Sequence, residues 1–348
     1  MRIVDVEVVV SERPNPRVFR WRAGLPGSDP VAMDTTLSIR TDEGIVGMAK
    51  WWGWQGRVIA DIVDRRLRPL LVGRDPLLRE DLWERVWEID RLEELPIYAL
   101  GLADIALWDL AGKAAGLPVY RLAGGYRDRI PAYASTVTYE TTEEFLHVAD
   151  QCLDYGFRAI KLHAWGDHRR DARLCQDLRA HVGPDIALMY DGSAGFDLAE
   201  SLYIGHALQE ADYEWLEEPM REFHIEAYRK LADALRIPIL SGETSDGAHW
   251  NIADFIVRGA GDMVRTSTHF KGGMTGGLRV AHLADAFNLR AEVHGGGLAN
   301  LHLGCAIPNN TWYESLVYST TLDPEPGIGR DGCISPPDAP GFGWETLA

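Results

Sequence analysis

Ala187-Leu-Met-Tyr-Asp191, Tyr213-Glu-Trp-Leu-Glu217 and Ile237-Pro-Ile-Leu-Ser-Gly-Glu243 decide how this chain is read. Each is a short apolar run that closes on a carboxylate, and 26 residues separate each acid from the next. That stride is about one β-strand, one helix and two loops of a parallel α/β unit. A single acid at a strand end is commonly a helix cap. Three of them at the same end of successive parallel strands converge on one point, where their charges repel. A hard divalent cation resolves the conflict, and carboxylate oxygens are the donors Mg²⁺ prefers. Asp191, Glu217 and Glu243 are therefore read as ligands of one Mg²⁺ per active site.

Working outward, the same rhythm extends in both directions. Apolar strands are read near 131–136, 158–162, 187–191, 213–217, 237–242, 262–266, 289–293 and 314–318, with amphipathic stretches between them. One of these, 142–156, opens on the capping box Thr141-x-x-Glu144. Eight strands alternating with helices predict an α/β fold of the (β/α)-barrel type, a modified TIM barrel, with its site at the C-terminal strand ends. Upstream, Val4, Val6, Val8 and Val10 alternate at period two, and Thr35–Arg40 and Ile45–Trp51 flank the turn Thr41-Asp-Glu-Gly44. Residues 1–52 thus read as a three-stranded meander, followed by helical patterns at 56–72, 78–91 and 97–115. The division expected is an α+β capping domain over 1–125, the barrel over 126–322, and a Pro/Gly-rich segment, 323–348, that returns to the cap and has no barrel role.

At 348 residues the chain exceeds one small core. Its net charge of −17 argues against a nucleic-acid or anionic-membrane partner, since counterion release needs a basic face. No apolar run approaches a membrane span. Cys152, Cys175, Cys305 and Cys333 lack paired spacing and read as free structural thiols, so a cytoplasmic protein is expected.

The flanks of the acid trio carry cations and titratable groups. In Ala159-Ile-Lys-Leu-His163, period two puts Lys161 and His163 on one inward face. The seventh barrel strand ends at His294, before Gly295-Gly-Gly297, and the eighth carries Glu314. His269 and Lys271 follow the sixth strand and read as loop residues. The glycine run lacks the lysine and the spacing of a phosphate loop. A metal, a lysine and groups on two faces suit abstraction of the weakly acidic proton beside a carboxylate.

Ala106-Leu-Trp-Asp-Leu-Ala-Gly-Lys-Ala-Ala-Gly-Leu-Pro-Val-Tyr120, Trp215-Leu-Glu-Glu-Pro219, Gly242-Glu243 and the acid spacing together resemble the enolase superfamily, in its mandelate racemase-like, acid-sugar dehydratase branch. The resemblance implies that Asp191, Glu217 and Glu243 bind Mg²⁺ and that Lys161 faces the substrate carboxylate. It further implies that His294 is the histidine of a His–Asp pair and that Glu314 hydrogen-bonds the enediolate. Two departures stand out. His163 replaces the second lysine of the Lys-x-Lys motif, and Ser267 stands where the aspartate partner of His294 belongs.

Without that partner a racemase, which needs matched bases, is disfavoured against a dehydratase, which needs one base and one acid. The function implied is Mg²⁺-dependent dehydration of an aldonate or aldarate to a 2-keto-3-deoxy acid by a hydro-lyase. The alternatives are a 2-hydroxy-acid racemase, epimerase or lactone cycloisomerase, or a barrel that binds Mg²⁺ and ligand without turnover. Arg17, Arg20, Arg22, Trp51 and Trp54 belong to cap loops that would reach over the mouth and contact substrate. A sugar-acid substrate and a homo-oligomer complete the expectation.

Overall fold

The computed structural model describes residues 1–347. Three antiparallel strands open it, β1 (Ile3–Pro14), β2 (Val31–Thr41) and β3 (Val46–Trp52), paired in that order. Gly44 turns β2 into β3 at φ 81°, which a side chain would resist. The helix read over 56–72 runs as α1 (Gly56–Ile62), a π-helical turn at Val63–Leu67, and α2 (Arg68–Leu71). The wide turn lies just before Pro69, which brings no N–H to the ladder. Next come α3 (Arg79–Glu93), α4 (Ile97–Ala115) and α5 (Val119–Leu122). Helix α4 is buried from Ala99 through Gly112, as its nearly continuous apolar sequence demands. It lies against β3 so closely that a Cβ on Gly47 would overlap the carbonyl oxygen of Ala106.

Eight parallel strands then alternate with helices: β4 (Ile130–Thr136), α6 (Thr142–Tyr155), β5 (Ala159–His163), α7 (His168–Val182), β6 (Ala187–Asp191) and α8 (Leu198–Glu210). They continue with β7 (Trp215–Glu217), α9 (Ile225–Ala234), β8 (Ile239–Ser241), α10 (Ala248–Val257), β9 (Met263–Thr266), α11 (Gly273–Ala286), β10 (Arg290–Val293), α12 (Leu298–Ala306) and β11 (Tyr313–Val317). Thr141 and Glu144 do form the reciprocal capping box at the start of α6.

The ladder runs from β4 to β10, and β11 pairs back on β4. At the β10–β11 seam, backbone and side-chain acceptors take the place of a regular ladder. Ala291 N donates to Asn309 O at 2.8 Å and Val293 N to Asn310 Oδ1 at 2.9 Å, while the Glu292 carboxylate accepts from Thr311 N at 3.2 Å. Inside the ring, Tyr133, Ala159, Met189, Trp215, Leu240 and Met263 pack into a plug beneath the strand ends. A TIM barrel is such a filled core, and the plug leaves its top face for chemistry.

The C-terminal segment corrects one expectation. It does return to the cap, where Phe342 N donates to Asp109 Oδ1 at 2.8 Å and Trp344 Nε1 to Met48 O at 2.9 Å. It also has a barrel role, because β12 (Cys333–Ile334) pairs antiparallel with the start of β4. A two-residue strand amid Pro and Gly has no periodicity from which to read it. All four cysteines are free. Among the described residues no helix is long and apolar enough to cross a membrane.

Candidate active site

The barrel brings the acids to one place because they end neighbouring strands. Asp191 and Glu217 are direct partners in the β6–β7 register, and Glu243 follows β8. Lys161, fully buried on β5, reaches across the ring. Its Nζ lies 3.5 Å from Asp191 Oδ2, 3.0 Å from Glu217 Oε2 and 2.9 Å from Glu314 Oε1. Burial works against the Lys161 ammonium, yet Glu217 and Glu314 overrule it and hold its pKa well above the ordinary value. Burial likewise pushes the Glu314 carboxyl up, but Lys161, Arg265 and His294 hold it well below the carboxylate range.

Arg265 is the group the sequence reading passed over. Fully buried on β9, it grips Glu217 with Nε to Oε1 at 2.5 Å and Nη2 to Oε2 at 2.7 Å. Isolated buried charge is too costly to persist, so these cations are what allow the acids to sit here at all.

Two histidines bracket the acid row. On one side, His163 Nδ1 donates to Thr136 O at 2.6 Å, which turns Nε2 toward Asp191 Oδ2 at 3.0 Å. On the other, His294 Nδ1 lies 3.0 Å from Glu243 Oε2 and 3.5 Å from Glu314 Oε2. His294 Nδ1 and Glu243 Oε2 face one another in a buried space, and neither has a hydrogen-bond partner elsewhere. Glu217, Glu243 and His294 each bring a donor atom within 4.8 Å of the others, a spacing that can hold a metal ion. Asp191 is not among these three; its Oδ1 accepts from Ser193 N and Oγ at 2.7 and 3.3 Å.

Ser267 does not stand in for the aspartate expected beside His294. Its Oγ faces its own loop and accepts from His269 N at 3.1 Å. Asn300 binds the two loops instead. Its Oδ1 accepts from Thr268 N at 2.9 Å, and its Nδ2 donates to His294 O at 2.7 Å and Gly295 O at 3.1 Å. The His294 ring stacks on Phe270, with centroids 5.3 Å apart. Behind the acids, burial pushes the Glu218 carboxyl up to about 8 and the Lys271 ammonium down to about 8. Lys271 Nζ donates to Ser245 O at 2.6 Å, as suits a loop anchor.

The cap residues divide. Trp21, within the Arg17–Arg22 stretch, lays its ring 4.7 Å from that of His163. Arg22 spends its guanidinium on the loop after β6, donating to Ser193 O at 2.9 Å, so it holds that loop rather than offering itself to a ligand. Arg17 pairs with Asp323 at the surface, and Arg20 is exposed. Trp51 is buried against Tyr98 and His269, whereas Trp54 stands exposed. Trp52, between them, is the tryptophan that approaches Gly297 in the loop after β10. Strand β3 puts the successive residues Trp51 and Trp52 on opposite faces, which spacing alone could not orient.

A capped (β/α) barrel whose strand ends hold an acid row between a lysine and two histidines defines the class. Residues 144–347 match the model of the enolase C-terminal domain-like family, and residues 28–124 match the mandelate racemase / muconate lactonizing enzyme N-terminal domain. The chain belongs to the enolase superfamily, in its mandelate racemase / muconate lactonizing enzyme family.

A D-galactonate dehydratase family member of Streptomyces bingchenggensis is 29% identical, over 92% of this chain and 88% of its own. A 3,6-anhydro-alpha-L-galactonate cycloisomerase of Streptomyces coelicolor is 30% identical, over 88% of this chain and 87% of its own. The crystal structure of D-glucarate dehydratase from Agrobacterium tumefaciens complexed with magnesium superimposes with a TM-score of 0.88 at 33% identity, covering 99% of this chain and 96% of that one.

Proposed function

We propose that this protein is a cytoplasmic hydro-lyase that dehydrates a sugar acid, an aldonate or aldarate, to its 2-keto-3-deoxy product with one Mg²⁺ bound by Asp191, Glu217 and Glu243. The donor set fits a hard divalent ion: it is rich in carboxylate oxygens, and buried Glu243 Oε2 has no neighbour to bond but His294 Nδ1. Four acids, Asp191, Glu217, Glu243 and Glu314, face two fixed cations, Lys161 and Arg265, an excess of negative charge that a divalent ion offsets. When bound, the ion supplies Lewis acidity at the substrate carboxylate. The magnesium named with the glucarate dehydratase structure supports the same choice.

The observation that carries the reading is the pair of histidines on either side of the acid row. Lys161 binds the substrate carboxylate and offsets charge that grows there as the α C–H bond breaks. His163 removes the α-proton; with the Nδ1 proton held by Thr136 O, the nitrogen available to it is Nε2, once released from Asp191 Oδ2, and the two histidines can exchange roles. His294 delivers a proton to the 3-hydroxyl as the C3–O bond breaks and water leaves. The resulting enol ketonises to the 2-keto acid. Glu314 hydrogen-bonds the developing enediolate once it takes up a proton, since the ionised carboxylate beside Lys161 only accepts, and Trp21 closes the His163 side of the mouth.

The test is a panel of aldonic and aldaric acids incubated with protein and Mg²⁺, with 2-keto acid measured. At least one substrate should yield keto acid, and His294→Asn should lower kcat by about 10²–10⁴-fold at saturating Mg²⁺. Unchanged turnover in that variant removes His294 from the mechanism. The cycloisomerase relative motivates a second reading, isomerisation without loss of water. Solvent-deuterium uptake into recovered sugar acid, with no keto acid formed, would select it. A substrate-dependent thermal shift with neither result would select a binding protein.

A further inference from the structure

After Trp215, Arg265 is the largest fully buried side chain of the protein, and its charge lies at the centre of the barrel beneath the acid row. It stands on β9 two residues before Ser267, in a strand otherwise written with apolar and hydroxyl residues, Met263-Val-Arg-Thr266. Every nitrogen of its guanidinium is engaged. Nε donates to Glu217 Oε1 at 2.5 Å, and Nη2 donates to Glu217 Oε2 at 2.7 Å and to Tyr133 Oη at 3.0 Å. Nη1 donates to Val293 O at 3.1 Å, one residue before His294. Glu217 Oε2 also accepts from Lys161 Nζ at 3.0 Å and Trp215 Nε1 at 3.1 Å, whereas Oε1 accepts from Arg265 alone. A carboxylate oxygen offers about two lone-pair sites. Oε2 is therefore filled, and Oε1 keeps one site.

We infer that Arg265 is a positioning residue for the metal site. Its fork fixes the plane of the Glu217 carboxylate, and Oε1 is left as the oxygen that Glu217 can offer to the ion. This rests on the Mg²⁺ reading given above. The planar, two-point grip is what an arginine supplies and a lysine does not. A merely structural cation would neutralise Glu217 from any direction. Here the fork also ties Glu217 on β7 to the Val293 carbonyl on β10, so the ligand and the strand that presents His294 are held in one frame. Removing Arg265 both frees Glu217 to rotate and takes away one of the two fixed cations that offset the acids.

The experiment replaces Mg²⁺ by Mn²⁺ and reads the bound ion by electron paramagnetic resonance. Three variants, Arg265→Gln, Arg265→Lys and Tyr133→Phe, are compared with the unaltered protein, with circular dichroism to score folding. In Arg265→Gln and Arg265→Lys the Mn²⁺ spectrum should change its zero-field splitting, and the Mn²⁺ Kd should shift by about 10–100-fold, the usual effect of losing a residue that orients a metal ligand. Tyr133→Phe removes one hydrogen bond of the fork and should move the spectrum in the same direction by less. If Arg265→Gln does not fold, the lysine and Tyr133→Phe variants decide.

Folded Arg265→Lys and Tyr133→Phe proteins with the unaltered spectrum and a Kd within about twofold would overturn the inference, even if their melting temperatures fell. An unaltered protein that binds no Mn²⁺ would sink the metal reading and this inference with it. Absence of turnover on every sugar acid would count against the proposed activity alone.

Discussion

Asp104 shows how one residue joins the two halves of the molecule. It projects from α4 of the cap, is fully buried, and accepts from Thr275 N at 2.8 Å and Thr275 Oγ1 at 2.6 Å. Thr275 lies in the first turn of α11, whose N-cap is Gly272 and so has no side chain to satisfy the free N–H groups. Asp104 thus caps a barrel helix from the cap domain. Burial pushes its carboxyl up to about 7, against the smaller pull of Thr275 and Arg79.

Between about pH 4 and pH 7 the folded chain keeps this proton where the unfolded chain has lost it. The stabilisation is full below about pH 4 and is lost as pH rises through 7. About three units at about 1.4 kcal/mol each set a ceiling of roughly 4 kcal/mol. Asp104→Asn keeps an acceptor for Thr275 N–H and carries no titrating proton. Denaturant unfolding from pH 4 to 8 should therefore show a difference in stability between the two proteins that changes up to pH 7 and is flat above it. A difference constant across that range would show that Asp104 is ionised throughout.

At the same scale, legibility depended on whether a residue's meaning is local. Asp191, Glu217 and Glu243 were readable because strand ends and an even stride mark them without knowledge of any partner. Arg265 was not. Its partners Glu217 and Tyr133 lie 48 and 132 residues away, and a lone arginine in a short strand reads as an edge or surface group. Asn300 was hidden for the same reason, while Ser267 was readable only as a departure from a pattern.

Among elements, the barrel strands fell within one or two residues of their sequence reading and Ile97–Ala115 was read to the residue, whereas β1 and β2 each run four residues beyond theirs, to Pro14 and from Val31. The seam between β10 and β11 was not readable, since it is made by Asn310, Glu292 and the Asn309 carbonyl rather than by a ladder. The contact of β3 with α4 makes a sharper test of the packing. Gly47 allows the helix to approach, and a methyl group there would overlap the Ala106 carbonyl and crowd Leu110. Gly47→Ala should cost about 1–3 kcal/mol by overpacking, seen as a lower denaturation midpoint with the m-value unchanged. Unaltered stability would mean that α4 and β3 are not in contact as described.

For the whole molecule, fold and function meet in one architectural fact. Parallel strands send Asp191, Glu217, Glu243 and His294 to the same end of the barrel, Glu314 reaches them from the start of β11, and the cap covers that end with Trp21, Arg22 and Trp52. The C-terminal segment ties floor and cap together through β12 and Phe342, so the two parts cannot drift independently. A net charge of −17 gives no help to an anionic substrate at long range, which leaves the site's own cations and metal to attract it.

The central claim is that the acid row grips one divalent ion, and anomalous diffraction from a crystal grown with Mn²⁺ tests it most directly. A single peak should lie within roughly 2–2.5 Å of oxygens from Asp191, Glu217 and Glu243. No peak there, or a peak held by other residues while these three carboxylates point apart, would contradict the account.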